Sequence, residues 1–282
     1  MITRENIIER LQEKYPQYHI VPQDVVKNGD VHLEGICIRD ESKIAPTIYT
    51  QFIIERCGDD LDKAIEIISN IIEQHQAPDI DVDKLTDPTF ILERIRIGVQ
   101  KESDENLVKK PIPDFEGMEQ YLYFSENEPS SHDMWSVKLR PELMKTAHIS
   151  EELAWSLAEK HTFETTSIKS MSEILVEMMG GLDSEEDFPD MSPCEMYVIS
   201  NHERCKGASA ILNRSLLERF AKQHNCKLLC VLPSSIHEAI LVPLHDESYS
   251  IEEFSEIVKS VNGTLAPEDI LVDRAYILHF EE

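Results

Sequence analysis

The sequence predicts an α+β protein, with mainly antiparallel sheets and helices packed on them. Two observations indicate this fold class. The dipeptide Asn28-Gly29 separates two strand-like segments, and Asn-Gly between strands is a strong hairpin signal. The segment 191–282 carries strand and helix patterns in the order β-α-β-β-α-β, which is compatible with a split βαβ arrangement of helices on a sheet.

The N-terminal elements follow from a cap, a turn and apolar periodicity. Thr3 precedes a helical pattern of apolar residues and is expected to cap that helix. The two hairpin strands are predicted over residues 18–26 and 31–40. Two helices follow over residues 48–56 and 60–75, and Gly58 suits the end of the first of them.

The middle of the chain is less regular. Residues 77–90 form an acidic connection with several prolines, and residues 90–100 fit a helix or a strand equally well. The next predicted elements are strands over 119–124 and 135–140 and helices near 150–160 and 170–180. Glycines, acidic residues and prolines over 180–193 predict a linker.

The C-terminal segment has the clearest pattern. Its predicted elements are a strand over 195–200, a helix over 207–224, strands over 227–232 and 236–243, a helix over 250–262 and a strand over 275–280. These patterns suggest an N-terminal α+β region over 1–110, a middle α+β segment over 111–182 and a C-terminal α+β region over 191–282. The regions pack as one or two domains.

Composition and charge exclude several classes of protein. The chain has 282 residues, 41% of them apolar, and a formal net charge of −27, which argues against direct binding of nucleic acid or anionic membrane by the bulk surface. No apolar run approaches the roughly 18 residues of a membrane helix. The N-terminus lacks the pattern of a signal peptide, so we expect a cytoplasmic location.

Neither a metal nor a cofactor is predicted. If residues 227–232 form a strand, positions four apart, such as Cys226 and Cys230, lie about 13 Å apart along it, too far for one metal. We therefore expect the six cysteines to be reduced thiols, mostly in the core. Gly-rich phosphate-binding motifs do not occur in the sequence. His237-Glu238 begins like the zinc motif HExxH, but residue 241 is leucine.

Ser234, Ser235 and His237 are the candidate catalytic residues, as a nucleophile and its base at a predicted hairpin turn. If the strand begins at residue 236, alternation places His237 and Glu238 on opposite faces, so Glu238 does not orient the imidazole. The alternative, which we favour, is that the serines satisfy turn backbone groups while His237 caps or lines the sheet.

Arg204, Lys206 and Gly207 form a candidate anion-binding site, because they lie where a strand turns into a helix. They belong to a segment, 201–230, in which basic residues outnumber acidic ones. Such a segment on an acidic protein could receive an anionic partner or the protein's own acidic middle. An ordinary solvated helix face is the simpler interpretation.

Several segments together resemble a family of bacterial proteins described only as a domain of unknown function and often encoded on mobile genetic elements of gut bacteria. They are YVISN, GASAILNRSLLERFA, LLCVLPSSIHEAILVP and LAPEDILVD, with weaker matches at HLEGICIRD and ISEELAWSLAEKH. The chain departs from that family at His161-Thr162 and in the polar segment GMEQYLYF. The resemblance implies no catalytic residue.

The leading functional hypothesis is a non-enzymatic protein that binds another macromolecule, most simply another protein, with mimicry of nucleic-acid charge as a variant. The alternative is a hydrolase that uses a serine and His237 at the turn over 232–238. The sequence leaves the oligomeric state open.

Overall fold

A computed structural model describes residues 2–40, 45–74, 81–127, 134–178, 195–233, 235–245 and 249–280. The chain divides into two compact units, Met1–Leu85 and Thr86–Glu282. The α+β class is confirmed, with antiparallel sheets and helices packed on them. Within the described ranges, every helix is too short or too polar to cross a lipid bilayer.

The first unit is a three-stranded antiparallel sheet with helices. Its elements are α1 (Arg4–Lys14), β1 (His19–Lys27), β2 (Val31–Arg39), β3 (Thr47–Tyr49), α2 (Thr50–Cys57) and α3 (Leu61–Gln74). The strands lie in the order β1-β2-β3. One core contains residues from all three strands and all three helices, among them Ile7, Ile36, Ile48, Ile53 and Ile68.

Local signals predicted most of this unit. Thr3 caps α1 in a capping box with Asn6, and the predicted hairpin closes at a 3₁₀ turn over Asn28–Asp30. Gly58, with φ of +61°, ends α2 as predicted. The predicted helix over 48–56 was wrong at its start, because Ile48 pairs with Ile36 of β2 and belongs to a strand. Strand pairing there outweighs helical spacing.

The second unit contains two sheets. Its elements are α4 (Pro88–Arg94), β4 (Ile95–Lys101), β5 (Lys109–Pro111), β6 (Met118–Asn127), β7 (Met134–Lys138), α5 (Pro141–Thr146), α6 (Glu151–Glu164), β8 (Thr166–Ser170), α7 (Met171–Met178), β9 (Tyr197–Asn201), α8 (Arg214–Gln223), β10 (Leu228–Leu232), β11 (Ala239–Leu244), α9 (Ile251–Asn262) and β12 (Tyr276–His279). Shorter 3₁₀ helices cover Gly207–Leu212 and Pro267–Asp269.

The first of these sheets, here called the β6 sheet, is organised around β6. β4 pairs with β6 on one side, and β5 and β7 pair with successive parts of β6. The second, here called the β10 sheet, has the order β12-β10-β11-β9-β8, and every neighbouring pair is antiparallel. β9 is therefore parallel to β10 with β11 between them, which is the split βαβ connection that the sequence suggested.

The two sheets share a core. Val99 and Phe115 from the β6-sheet side pack in one cluster with Leu217 of α8 and Leu229 and Leu241 of the β10 sheet. α9 covers the other face of the β10 sheet, where Val258 packs with Cys230 and Val242. Because both faces of β10 and β11 are covered, these strands read as continuous apolar runs instead of alternating ones.

Several predicted boundaries change in this unit. The ambiguous segment 90–100 is a helix and then a strand, since α4 ends at Arg94 and β4 begins at Ile95. The predicted helix over 207–224 is wrong as one piece: a 3₁₀ helix ends at Leu212, and Asn213 caps α8. The strand predicted from residue 236 begins at Ala239. The predicted linker over 180–193 lies outside the described residues.

Replacing the cap of α9 gives a stability prediction. The Ser250 hydroxyl oxygen accepts a hydrogen bond from the Glu253 amide at 3.2 Å. Ser250→Ala is expected to lower the free energy of unfolding by about 1 kcal/mol, because that amide loses its acceptor. Ser260 is exposed in the same helix, so Ser260→Ala serves as the control and should change little.

Both tryptophans, Trp135 and Trp155, lie in the second unit, so urea denaturation followed by tryptophan fluorescence reports on that unit. Equal midpoints for Ser250→Ala and Ser260→Ala would show that the cap contributes nothing.

Candidate functional site

The turn between β10 and β11 holds the predicted catalytic residues. The Ile236 amide donates to the Asp269 carbonyl at 2.9 Å, and Ser235 forms an isolated bridge with Ile270. The Ser235 hydroxyl oxygen accepts a hydrogen bond from the His237 amide at 2.9 Å. Ser235 is buried and its oxygen closes a local turn to the backbone two residues on, as serines in turns do. Ser234 lies outside the described residues.

Both ring nitrogens of His237 have a neighbour. Nδ1 accepts a hydrogen bond from the Lys206 amide at 3.3 Å, so the ring proton of the neutral imidazole lies on Nε2. Nε2 is 3.5 Å from Oδ1 of Asp269. Ser235 thus contacts the backbone of His237, while an amide and a carboxylate engage the ring.

The carboxylate beside His237 belongs to Asp269, which is distant in sequence, so the alternation of side chains along a strand could not predict it. Because β11 begins at Ala239, His237 and Glu238 both lie in the turn, and the face assignment expected for them was wrong. Asp269 belongs to the 3₁₀ helix after α9 and reaches the imidazole only through the fold. Sequence reasoning missed it, and no local pattern pairs these residues.

The loop between β9 and the 3₁₀ helix Gly207–Leu212 contains the predicted anion-binding residues. Arg204 and Lys206 both have positive φ, 50° and 53°, which is uncommon for residues with a side chain. The Asn201 side chain fixes the loop through two hydrogen bonds. Its oxygen accepts from the Cys205 amide at 3.2 Å, and its nitrogen donates to the Cys205 carbonyl at 2.8 Å. The hydrogen bond from the Lys206 amide to the His237 ring connects this loop to the turn at 235–237.

Of the predicted anion-binding residues, Arg204 and Lys206 already have side-chain partners inside the chain, and so does the Ala208 amide next to Gly207. The Ala208 amide at the start of the 3₁₀ helix donates to the Ile236 carbonyl at 3.1 Å. Arg204 donates to the Glu177 carboxylate at 2.8 Å. Lys169 bonds the same carboxylate at 2.5 Å, and these two cations, Lys169 first, lower the pKa of Glu177. The Lys206 ammonium lies 5.2 Å from the centroid of the Tyr123 ring.

A buried polar network lies in the β6 sheet, at residues that sequence reasoning did not single out. Gln100 of β4 and Glu119 of β6 are cross-strand partners, 0% and 6% exposed. Gln100 donates to Glu119 at 2.7 Å, and Ser103 donates to the same oxygen at 2.9 Å. The only sequence signal was a polar residue inside each of two strands.

Two lysines complete this network. Lys109 pairs with Glu119 at 3.1 Å, and Lys138 pairs with Glu105 at 2.6 Å. Lys138 also donates to the Gln100 side-chain carbonyl at 2.9 Å. Each carboxylate therefore has a lysine beside it, and the arrangement is that of an internally neutralised cluster. Beside it, burial raises the pKa of Tyr121.

The cysteines that the structure describes belong to no assembled metal site. Cys37, Cys57, Cys205, Cys226 and Cys230 are free thiols, and Cys194 lies outside the described residues. Burial raises the pKa of Cys230 to about 12, so its thiolate is suppressed at neutral pH. Among the described residues, no group of three or more His, Cys, Asp or Glu side chains is placed to hold a metal ion.

The exposed side of α8 carries three cations, Arg214, Arg219 and Lys222, here called the cationic face. Arg214 is held by Asp114 at 3.5 Å and donates to the His279 carbonyl at 2.7 Å. Arg219 and Lys222 are three residues apart and exposed, and neither makes an ion pair with any side chain that the structure describes. They lie on a chain with 54 acidic residues.

A protein-family model matches nearly the whole chain. The model is described as a family of unknown function, DUF5688, and it matches residues 3–279. Searches of curated proteins and of solved structures found no match.

Proposed function

Because the chain belongs to DUF5688, a family of unknown function, its activity has to be inferred from its own side chains, and we propose that it binds an acidic protein partner through the cationic face of α8. The observation that carries this proposal is the exposure of Arg219 and Lys222 without an ion pair among the described residues. The function proposed is binding, without a chemical step.

The charge distribution favours a protein partner over a nucleic acid. The net charge of −27 repels a long polyanion, which would extend beyond the cationic face onto acidic surface. A short acidic segment of a protein can bind this face alone, because charges farther away than about 8 Å are screened at physiological salt. Two or three exposed ion pairs contribute mainly to specificity and association rate.

The polar atoms of Ser235 and His237 already have partners within the chain, which supports binding over catalysis as the function. A general base needs a ring nitrogen within reach of the proton that it removes. At His237 the Lys206 amide uses Nδ1 and Asp269 lies against Nε2, while the Ser235 oxygen is used by a backbone amide. These contacts support a role for both side chains in holding the turn.

Charge reversal tests the proposed face. Affinity capture from an extract of the native host should retain a discrete protein on the wild-type chain and lose it on Arg219→Glu/Lys222→Glu. The control is Lys63→Glu/Lys145→Glu, which makes the same charge change at two exposed lysines elsewhere and should retain the protein.

Retention that falls with added salt would support the electrostatic mechanism. Equal retention by both double variants, or no retention by the wild-type chain, would contradict the proposed face. A partner that the acidic surface binds as a mimic of nucleic-acid charge would be unaffected by either double variant.

A hydrolase at the turn is the second candidate, and the Asp269 carboxylate 3.5 Å from His237 is the observation in its favour. A nucleophilic serine in such a site would react with a fluorophosphonate probe. Covalent labelling of the wild-type chain that His237→Ala abolishes would favour this candidate over binding alone, and an unlabelled chain would count against it.

A further inference from the structure

A cavity of about 260 Å³ lies in the second unit, where the β6 sheet and the β10 sheet meet. Its apolar wall comes from residues that are at most 5% exposed and belong to β4, the β5–β6 loop, the 3₁₀ helix before α8, and β12. They are Ile97, Ile112, Phe115, Ile211 and Leu278. This volume is slightly below the roughly 300–1,000 Å³ of pockets for drug-sized ligands, so it suits a smaller ligand.

Four charged side chains line the same cavity, and two of them neutralise each other. Arg214 lies 3.5 Å from Asp114 and donates to the His279 carbonyl, while its guanidinium is 4.5 Å from the centroid of the Phe280 ring. Arg214 and Asp114 are therefore engaged with groups of the chain itself. The charges available to a ligand are those of the other two side chains.

The other two charges, Lys110 and Glu159, are of opposite sign. Neither makes a hydrogen bond or an ion pair with any residue in the described part of the chain. The Lys110 ammonium lies 4.0 Å from the centroid of the Trp155 ring, a cation–π contact that restricts its position. The Gln120 amide also lines the cavity.

An apolar wall combined with an uncompensated cation and an uncompensated anion matches one kind of molecule. We propose that the cavity binds a small zwitterion with an apolar side chain, the chemical class of the aliphatic and aromatic α-amino acids. Lys110 pairs with the ligand carboxylate and Glu159 with its ammonium, while the side chain packs against Ile97 and Leu278. This site goes beyond the proposed protein-binding face of α8.

Calorimetric titration with leucine and two analogues tests both charges at once. Isoamylamine lacks the carboxylate and 4-methylpentanoate lacks the ammonium, but both keep the apolar part. Leucine is expected to bind at least about tenfold more tightly than either analogue, because each missing group removes one charge-assisted interaction.

Surface variants identify which side chain recognises which group. Lys110→Gln should bring leucine to the affinity of isoamylamine, and Glu159→Gln should bring it to that of 4-methylpentanoate. Lys145→Gln and Glu152→Gln, at exposed positions outside the cavity, should bind leucine as the wild type does. Leu212→Trp, at a half-buried lining position, should fill the cavity and abolish leucine binding while the chain stays folded by circular dichroism.

The proposal is overturned if leucine shows no saturable heat up to about 10 mM, or if it binds no better than both analogues. Leucine binding that neither Lys110→Gln nor Glu159→Gln weakens would also overturn it. The protein-binding proposal does not depend on these outcomes, because it rests on Arg219 and Lys222, which do not line the cavity. Arg214 borders both sites but is paired with Asp114.

Discussion

Gly207→Ala is expected to lower the free energy of unfolding of the second unit by about 3–5 kcal/mol, combining overpacking with the loss of a buried hydrogen bond. A Cβ atom at this position would lie 2.2 Å from the Ser200 hydroxyl oxygen, 2.6 Å from the Asn201 amide nitrogen and 2.7 Å from the His237 carbonyl oxygen. Two of these three atoms belong to the backbone, so no side-chain rotation relieves the contact.

The cost extends to the contacts that hold the turn. Ser200 donates to the His237 carbonyl at 2.8 Å, and the new methyl group would lie against both atoms of that bond. The Lys206 amide, one residue away, is the donor to the His237 ring. Displacement of the loop should therefore disturb the turn at 235–237 as well.

Gly263→Ala is the matched control in the same unit. Its φ is −61°, and the nearest atom to a new Cβ is the Ser260 carbonyl oxygen at 3.4 Å. Alanine is tolerated there and is expected to change stability by less than about 1 kcal/mol. Tryptophan fluorescence during urea denaturation measures both variants. Similar midpoints for the two would refute the close packing around Gly207.

Glu119→Ala should lower the free energy of unfolding by about 3 kcal/mol, near the lower end of the cost of leaving a buried ion without its partner. Its carboxylate accepts from Gln100, Ser103 and Lys109, and all three donors lose that acceptor. We expect a cost at the lower end of that range because the Lys109 side chain is 21% exposed, so water partly solvates its charge after Glu119 is removed.

Glu126→Ala on the same strand is the control for Glu119→Ala. Glu126 pairs with Arg94 at 3.1 Å, but its side chain is 41% exposed, so the expected cost is below about 1 kcal/mol. Lys109→Met/Glu119→Leu removes both charges and should recover part of the loss. A Glu119→Ala chain as stable as the Glu126→Ala chain would show that the network is not a stabilising element.

The elements that were predicted correctly depend on neighbours in sequence. Thr3 caps a helix whose first turn it contacts directly, and the Asn28-Gly29 turn closes its own hairpin. These interactions span at most four residues, so a single sequence contains both partners. The order β-α-β-β-α-β in the C-terminal segment could be predicted for the same reason.

The departures arise where distant segments meet. Ile48 follows a helical pattern but pairs with Ile36, and His237 follows a strand pattern but lies in a turn beside Asp269. In both cases a contact with a separate segment outweighs a local preference. The candidate catalytic and anion-binding residues were named from the sequence, and the fold supplied their neighbours.

From the sequence alone, the class of the fold, its N-terminal helix cap and main turn, and the acidic character of the chain were determined, since each depends on composition or on residues a few positions apart. The tertiary structure decided the strand order, the Gln100–Glu119 pairing and the cavity between the sheets. The physical reason is that these features join side chains far apart in the chain, and only packing of one shared core brings such residues within reach of each other.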